Sequence, residues 1–278
     1  MLKILQISDL HFGPPYLPDV GEAVLRLAPT LGVDVVVVCG DMTQRAKRAQ
    51  FVEAKAFLDR LPPVPKIFVP GNHDVPLWRI VERFRDPHGL YCEFIHDALD
   101  HVYRLDGAVI VALNSTAPRT AISNGRIHPG QLEFCTAAFD DAPNEAVRIV
   151  VAHHHFAPAP DYERDQTMPR AKRAMNRFVD LGVDLIMGGH LHRAYIGNSL
   201  DIYPGNHRDR GIIIVQCGTT TSHRGRGKER EKNSLNVIDV DKEMLQITHF
   251  MHFHEHDGFR PVSRHTFPRA GTQLNDRT

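Results

Sequence analysis

Four short polar clusters, each closing an apolar run, carry the chemistry of this 278-residue chain: Ser8-Asp9-Leu10-His11, Gly40-Asp41, Gly71-Asn72-His73-Asp74 and Gly189-His190-Leu191-His192. With His153 they offer a complete ligand set for two metal ions, in which the oxygens of Asp9, Asp41 and Asn72 alternate with the imidazoles of His11, His153, His190 and His192. That mixture suits Mn, Fe or Zn better than Ca or an all-carboxylate Mg site. Two such ions about 3.5–4 Å apart clamp a phosphoryl group and generate hydroxide at neutral pH, so the set predicts two-metal phosphoester hydrolysis. Asp9 and His11 stand two apart at a strand end, where both side chains point the same way and can chelate one ion; His190 and His192 repeat the spacing. Asp41 follows the run Val35-Val36-Val37-Val38-Cys39-Gly40, where an unpaired carboxylate is costly and a place between two cations satisfies it. Asn72 adds a neutral oxygen, and Asp74 is the expected partner for orienting His73. The run His153-His154-His155 leaves the register open by one: His153 ends its strand directly, and His154 is the alternative ligand.

These residues need a scaffold that gathers distant segments. Apolar, β-branched runs at 2–7, 33–39, 66–69, 109–113, 148–152 and 184–187 read as strands buried on both faces. Helical stripes alternate with them, one at Val20, Ala23, Val24, Leu27 and Leu31, another at Phe51, Ala54, Leu58 and Leu61 ending before Pro62-Pro63. The alternation predicts a largely parallel central sheet with its ligands at the carboxyl ends of the strands, where Asp9, Asp41, Asn72, His153 and His190 all fall. After His192, short strands at 194–200, 212–217, 235–240 and 245–253 read as hairpins completing a second sheet. The expected fold class is α/β, a two-sheet sandwich with flanking helices. Residues 1–256 form its one domain, and the polar residues 257–278 are expected to trail over the surface as a C-terminal tail.

In order along the chain, Asp-x-His, Gly-Asp, Gly-Asn-His-Asp, a later strand-end His and Gly-His-x-His resemble the successive signatures of the calcineurin-like metallophosphoesterases, from residue 4 to about residue 192. Within that superfamily the chain most resembles the compact bacterial enzymes grouped with class III cyclic-nucleotide phosphodiesterases. The resemblance implies that Asp41 bridges the two ions, that His190 and His192 go to opposite metals, and that a hydroxide between the ions attacks phosphorus. It also implies that His73 contacts the phosphate or protonates the leaving oxygen. The expected substrate is a cyclic nucleotide or another small phosphodiester, with a phosphomonoesterase or nuclease as the alternative. A non-catalytic binding module on this fold is the remote alternative, disfavoured because every ligand position is filled. Gly40-Asp41 continues as Met42-Thr43-Gln44-Arg45, without the further Asp and Arg of the protein phosphatase branch, which weighs against that branch.

Two loops stand out as substrate selectors. Residues 12–18 follow the first ligand pair and place Phe12 and Tyr16 near the metals; residues 219–230 combine hydroxyls, glycines and cations, with Arg224 and Arg226 as candidate substrate contacts. Surface packing and a solvated turn are the competing readings of the two. His252, His254 and His256 read as one exposed strand face. Lys plus Arg and Asp plus Glu both number 33, so no global field draws a polyanion and nucleic acid is not an expected partner. The four cysteines form no C-x-x-C pair and read as buried reduced thiols. Residues 1–7 run into the first motif without a signal segment, and no apolar stretch approaches the roughly 18 residues of a membrane span. Together these predict a cytoplasmic protein without a membrane partner that acts on a small phosphoester, as a monomer or a homodimer.

Overall fold

The computed structural model describes residues 1–120, 123–159, 166–202, 211–227, 230–256 and 258–269. In chain order its elements are β1 (Leu2–Ile7), α1 (Pro18–Leu27), β2 (Val35–Val38), α2 (Arg48–Asp59), β3 (Lys66–Phe68), α3 (Ile80–Arg85), α4 (Gly89–Phe94), β4 (His101–Leu105), β5 (Ala108–Leu113), α5 (Pro129–Asp140), β6 (Val147–Ala152), α6 (Ala171–Asp180), β7 (Leu185–Gly188), β8 (Tyr195–Asn198), α7 (Ser199–Ile202), β9 (Ile213–Gln216), β10 (Ser234–Val240), β11 (Met244–Phe253) and β12 (Gly258–Pro268).

The valine run of β2 shows why these elements stack in four layers. Val35 and Val37 join the core between the two sheets, whereas Val36 and Val38 join the core beneath α1 and α2, and all four are fully buried. A strand with no solvent face has no polar alternation, which is why it reads as an unbroken β-branched run. The sheets are ordered β12-β11-β10-β1-β2-β3 and β4-β5-β6-β7-β9-β8. They meet over Ile4, Val35, Val37, Ile110, Ile149 and Leu185. Val24, Phe51 and Leu58 cover the first sheet from outside, and Cys135, Phe139, Met175 and Phe178 from α5 and α6 cover the second. Cys39, Cys135 and Cys217 are buried free thiols; Cys92 is half-buried. Among the described residues no helix is long and apolar enough to cross a membrane.

The expected sandwich is present, with the strands distributed differently. The parallel strands are divided between the two sheets: β1, β2 and β3 are parallel neighbours in the first, and β5, β6, β7 and β9 are parallel neighbours in the second. The hairpin of β10 and β11 completes the first sheet beside β1 and does not build a second. The run at 194–200 gives only β8, since residues 199–202 turn into α7. His252 lies on β11, but His254–His256 is a 3-10 turn, so the three histidines do not share one strand face.

Residues 258–268 are a further correction. They form β12, paired along β11 with a register shift at His249/Phe250, opposite Pro261. Proline without an N–H is tolerated at an edge-strand irregularity. Most of β12 is solvent-exposed, so backbone pairing holds it and no apolar pattern marks it, but Phe259 is buried in the core under α1 and α2. Residues 257 and 270–278 of the expected tail lie outside the described residues. Phe259→Ala is expected to cost about 3 kcal/mol by the usual large-to-small core penalty. Thermal unfolding would read this as a drop of several degrees, whereas a residue in a surface tail would leave the midpoint unchanged.

Candidate metal centre

The carboxyl ends of parallel strands from both sheets open at one place, and the loops that leave them carry the chemistry. Asp9 follows β1, Asp41 follows β2, Asn72 follows β3, His153 follows β6 and His190 follows β7. Among the described residues eight non-glycine residues have positive φ, and five of them are Asp9, His11, Asp41, His190 and His192. Left-handed backbone disfavours side chains and concentrates at functional sites. The two-apart ligand pairs therefore do not arise from strand alternation, as the spacing suggests. β1 ends at Ile7 and β7 at Gly188, and two left-handed residues flanking Leu10 or Leu191 turn each pair.

Two groups of donors result. Asp9, His11, Asp41 and His192 bring ligand atoms within 4.8 Å of one another, and His153, His154 and His190 form a second such group. Asp9 Oδ2 accepts hydrogen bonds from the Ser8 hydroxyl at 2.6 Å and the His190 N–H at 3.0 Å. Its buried Oδ1 has no hydrogen-bond partner and faces His192 Nε2 at 3.1 Å and His11 Nε2 at 3.7 Å. The Nδ1–H of His192 donates to the Arg224 carbonyl at 2.9 Å, which leaves Nε2 as a lone pair aimed at His11 Nε2, 3.0 Å away. Carboxylate and imidazole donors gathered this closely are what a cation satisfies.

Asp41 joins the groups. Oδ2 lies 3.7 Å from His11 Nε2 and Oδ1 lies 3.4 Å from His153 Nε2. His153 donates Nδ1–H to the Cys39 carbonyl at 2.6 Å, and its Nε2 lies 3.3 Å from Asn72 Oδ1, which is also 2.9 Å from His190 Nδ1. A backbone carbonyl fixing one ring nitrogen while the other faces a carboxylate is the usual support of a metal-ligating histidine. Burial opposes a proton on His153, yet the charges of Asp41 and Asp9 push its pKa up to about 9. Burial likewise opposes charge on Asp9 and Asp41, but His192 beside the first and His153 beside the second hold both well below the usual carboxylate range. The site demands positive charge at its centre, and its oxygen and imidazole donors fit a pair of divalent ions.

His154 has a different setting. Its Nδ1 pairs with the Ser115 hydroxyl at 2.8 Å and its buried Nε2 has no partner. His153, and not His154, faces Asp41 and Asn72.

Asp74 does not orient His73. It accepts hydrogen bonds from the backbone N–H groups of Gly71, Met42 and Thr43 and from the Thr43 hydroxyl, all within 3.2 Å, tying the loops after β2 and β3 together. Burial, with the Asp41 charge beside it, pushes its carboxyl up to about 7 against those amides. The partner of His73 is the Gln44 carbonyl, 2.8 Å from Nδ1. Sequence reading passed over Gln44, because a carbonyl ligand leaves no trace in residue type.

The second loop reaches this centre, though its two chemistries separate. Thr219 and Thr221 donate to the carbonyls of Asp9 and Leu10, and Thr220 accepts the Ser8 N–H, so the hydroxyls are buried struts of the β1 loop. Arg224 and Arg226 line the wall of a cavity of about 630 Å³ floored by Asp41, Asn72, His73, His190 and His192, and Arg224 is held by the Gln44 side chain at 3.0 Å. Lys228 and Glu229 lie outside the described residues. His155, also missed, lines the cavity and stacks on His190. The 12–18 loop does not line it: Phe12 is stacked on Tyr16 and packed against Phe57, in the buried core beneath α1 and α2 and not in the surface packing that was the competing expectation.

Metal analysis of purified variants checks the register. His153→Ala is expected to bind less metal per chain than the parent, and His154→Ala to match the parent; the reverse would move the site by one residue.

The chain matches the family described as calcineurin-like phosphoesterase over residues 2–194. It is 23% identical over 195 residues to a transmembrane protein with metallophosphoesterase domain from Danio rerio, a match that spans 69% of this chain and 40% of that protein's length. A purple acid phosphatase from yellow lupin (Lupinus luteus) seeds superposes with a TM-score of 0.72 at 14% identity, over 96% of this chain and 54% of the plant one. A dimetal phosphatase from Danio rerio superposes with a TM-score of 0.65 at 12% identity, over 96% and 99% of the two chains. The structural likenesses bear on the fold alone, whereas the match over residues 2–194 joins to the donor geometry above: the chain belongs to the calcineurin-like phosphoesterases.

Proposed function

We propose that this chain is a dinuclear-metal phosphodiesterase acting on small phosphodiesters, cyclic nucleotides among them, with Mn, Fe or Zn in the site. Asp9, His11, Asp41 and His192 would hold one ion, and Asp41, Asn72, His153 and His190 the other. The observation that carries this reading is the placement of the Asp41 oxygens, one toward each donor group, at the floor of a cavity whose wall bears Arg224 and Arg226. Ions bound there supply Lewis acidity, which acidifies water and offsets charge on phosphoryl oxygens.

The chain's own residues supply the rest. With Nδ1–H committed to the Gln44 carbonyl, His73 presents Nε2 to the substrate. Burial lowers its pKa, so a proton sits on Nε2 only when an anion such as a bound phosphoryl group draws it there; from Nε2 it can pass to the departing alkoxide. Guanidinium groups match phosphoryl oxygens geometrically, and Arg224 is pre-positioned by Gln44. The cavity is of the size that encloses a drug-sized ligand, far more than a phosphate ion needs, which favours a substrate with a second ester arm.

A phosphomonoesterase is the second reading, favoured by the likeness to the lupin and zebrafish proteins, both of them phosphatases. Steady-state kinetics on chromogenic mono- and diesters and on 2′,3′- and 3′,5′-cyclic nucleotides separates them. A diesterase is expected to show the higher kcat/KM on diesters, and the double variant Arg224→Ala/Arg226→Ala to raise KM severalfold with metal content unchanged. Higher kcat/KM on the monoester would establish the second reading. For His73→Ala, the rate with an alkyl leaving group should fall about 10²–10⁴-fold, and less with an activated phenolate; an equal loss on both would make His73 a phosphate-positioning residue.

A further inference from the structure

Among the described residues nine large apolar side chains are exposed, and four of them, Trp78, Ile80, Val81 and Phe84, fall within seven positions. Trp78 is 77% exposed and Ile80 66%, and α3, on which three of the four lie, buries no residue at all. A helix this short draws its stability from packing. This one is held by guanidinium bonds to backbone: Arg79 donates to the carbonyls of Arg45 and Ala46, Arg83 to that of Pro118, and Arg119 to that of Phe84. Apolar residues on a clamped but uncovered segment mark an interaction surface.

Two observations say what covers it. The segment is continuous with the metal cavity, because Val75, Leu77 and Arg45 line that cavity just before Trp78 and α3 begin. The charges on the segment and on the residues bonded to it are also cationic in balance: Glu82 is paired with Arg79, while Arg45, Arg83, Arg85 and Arg119 outnumber Asp86. An exposed tryptophan, aliphatic side chains and flanking arginines form the composition that settles into the head-group region of an anionic bilayer. A second copy of the chain is a poorer occupant, since a two-fold contact sets this cationic surface against itself.

We propose that residues 77–85 form a docking surface for an anionic lipid bilayer and seat the mouth of the cavity against lipid head groups. The lack of a spanning helix concerns crossing a membrane, not resting on one. Docking is independent of which ester is cleaved, so it is tested without turnover. Trp78 is the only tryptophan in the sequence and is its own reporter. Adding vesicles of phosphatidylglycerol and phosphatidylcholine to the full chain should shift its emission to the blue, shield it from aqueous quencher and co-sediment the protein; phosphatidylcholine vesicles alone should do much less. The triple variant Ile80→Ser/Val81→Ser/Phe84→Ser should bind the anionic vesicles at least about tenfold more weakly while its thermal unfolding stays unchanged, because none of these side chains is buried. Arg85→Glu should weaken binding in a salt-dependent way. No blue shift with anionic vesicles, an equal response to phosphatidylcholine alone, or a blue shift without lipid that grows with protein concentration, the mark of a second copy, would each overturn the proposal.

Discussion

Everything at this centre depends on how Asp41 is held. Its carboxylate is buried where the two sheets open, with one oxygen toward His11 and the other toward His153. A charge so placed is tolerable only if positive charge lies on both sides, and the imidazoles already lower its pKa in answer to that need. The neighbouring glycines are a consequence. A Cβ on Gly71 would lie 2.1 Å from Asp41 Oδ1, and one on Gly40, where φ is +88°, would lie 2.6 Å from His153 Nδ1. Both loops must therefore pass the carboxylate as bare backbone, and Asp74 fixes their spacing by collecting amides from each.

Much of this was legible in the sequence because the physics is local. Strands buried on both faces announce themselves as β-branched runs, and a cluster of Asp, Asn and His at the end of such a run has few structural uses. The amphipathic stripes of α1 and α2 were legible for the same reason. The hairpin of β4 and β5 was legible as well, though passed over: Asp106-Gly107, with Gly107 at positive φ, stands as a two-residue turn between the partly exposed β4 and the unbroken apolar run of β5.

What stayed hidden follows from tertiary partners. Assigning β10 and β11 to the first sheet requires knowing that β1 pairs with β10, over two hundred residues away, and nothing in either strand's pattern states its neighbour. β12 was hidden because backbone pairing holds it and most of its side chains face water. The partners of His73 and His153 are the carbonyls of Gln44 and Cys39, groups that every residue possesses. The threonines of residues 219–221 looked like an anion cradle, since a hydroxyl bound to a carbonyl and one bound to a phosphate have the same sequence signature.

The left-handed backbone at Asp9, His11, Asp41, His190 and His192 has a consequence for metal choice. Holding such residues costs on the order of 1 kcal/mol each, and the cost falls on folding, before any ion arrives. The ligand loops are thus a preformed cage and not a flexible arm that wraps its guest. Calcium, which takes six to eight oxygens in loose geometry, gains little from a cage of fixed shape built largely of imidazole. A cage set in the fold fixes where its donors stand, so the shape of the backbone as well as the type of donor bears on which ion suits it.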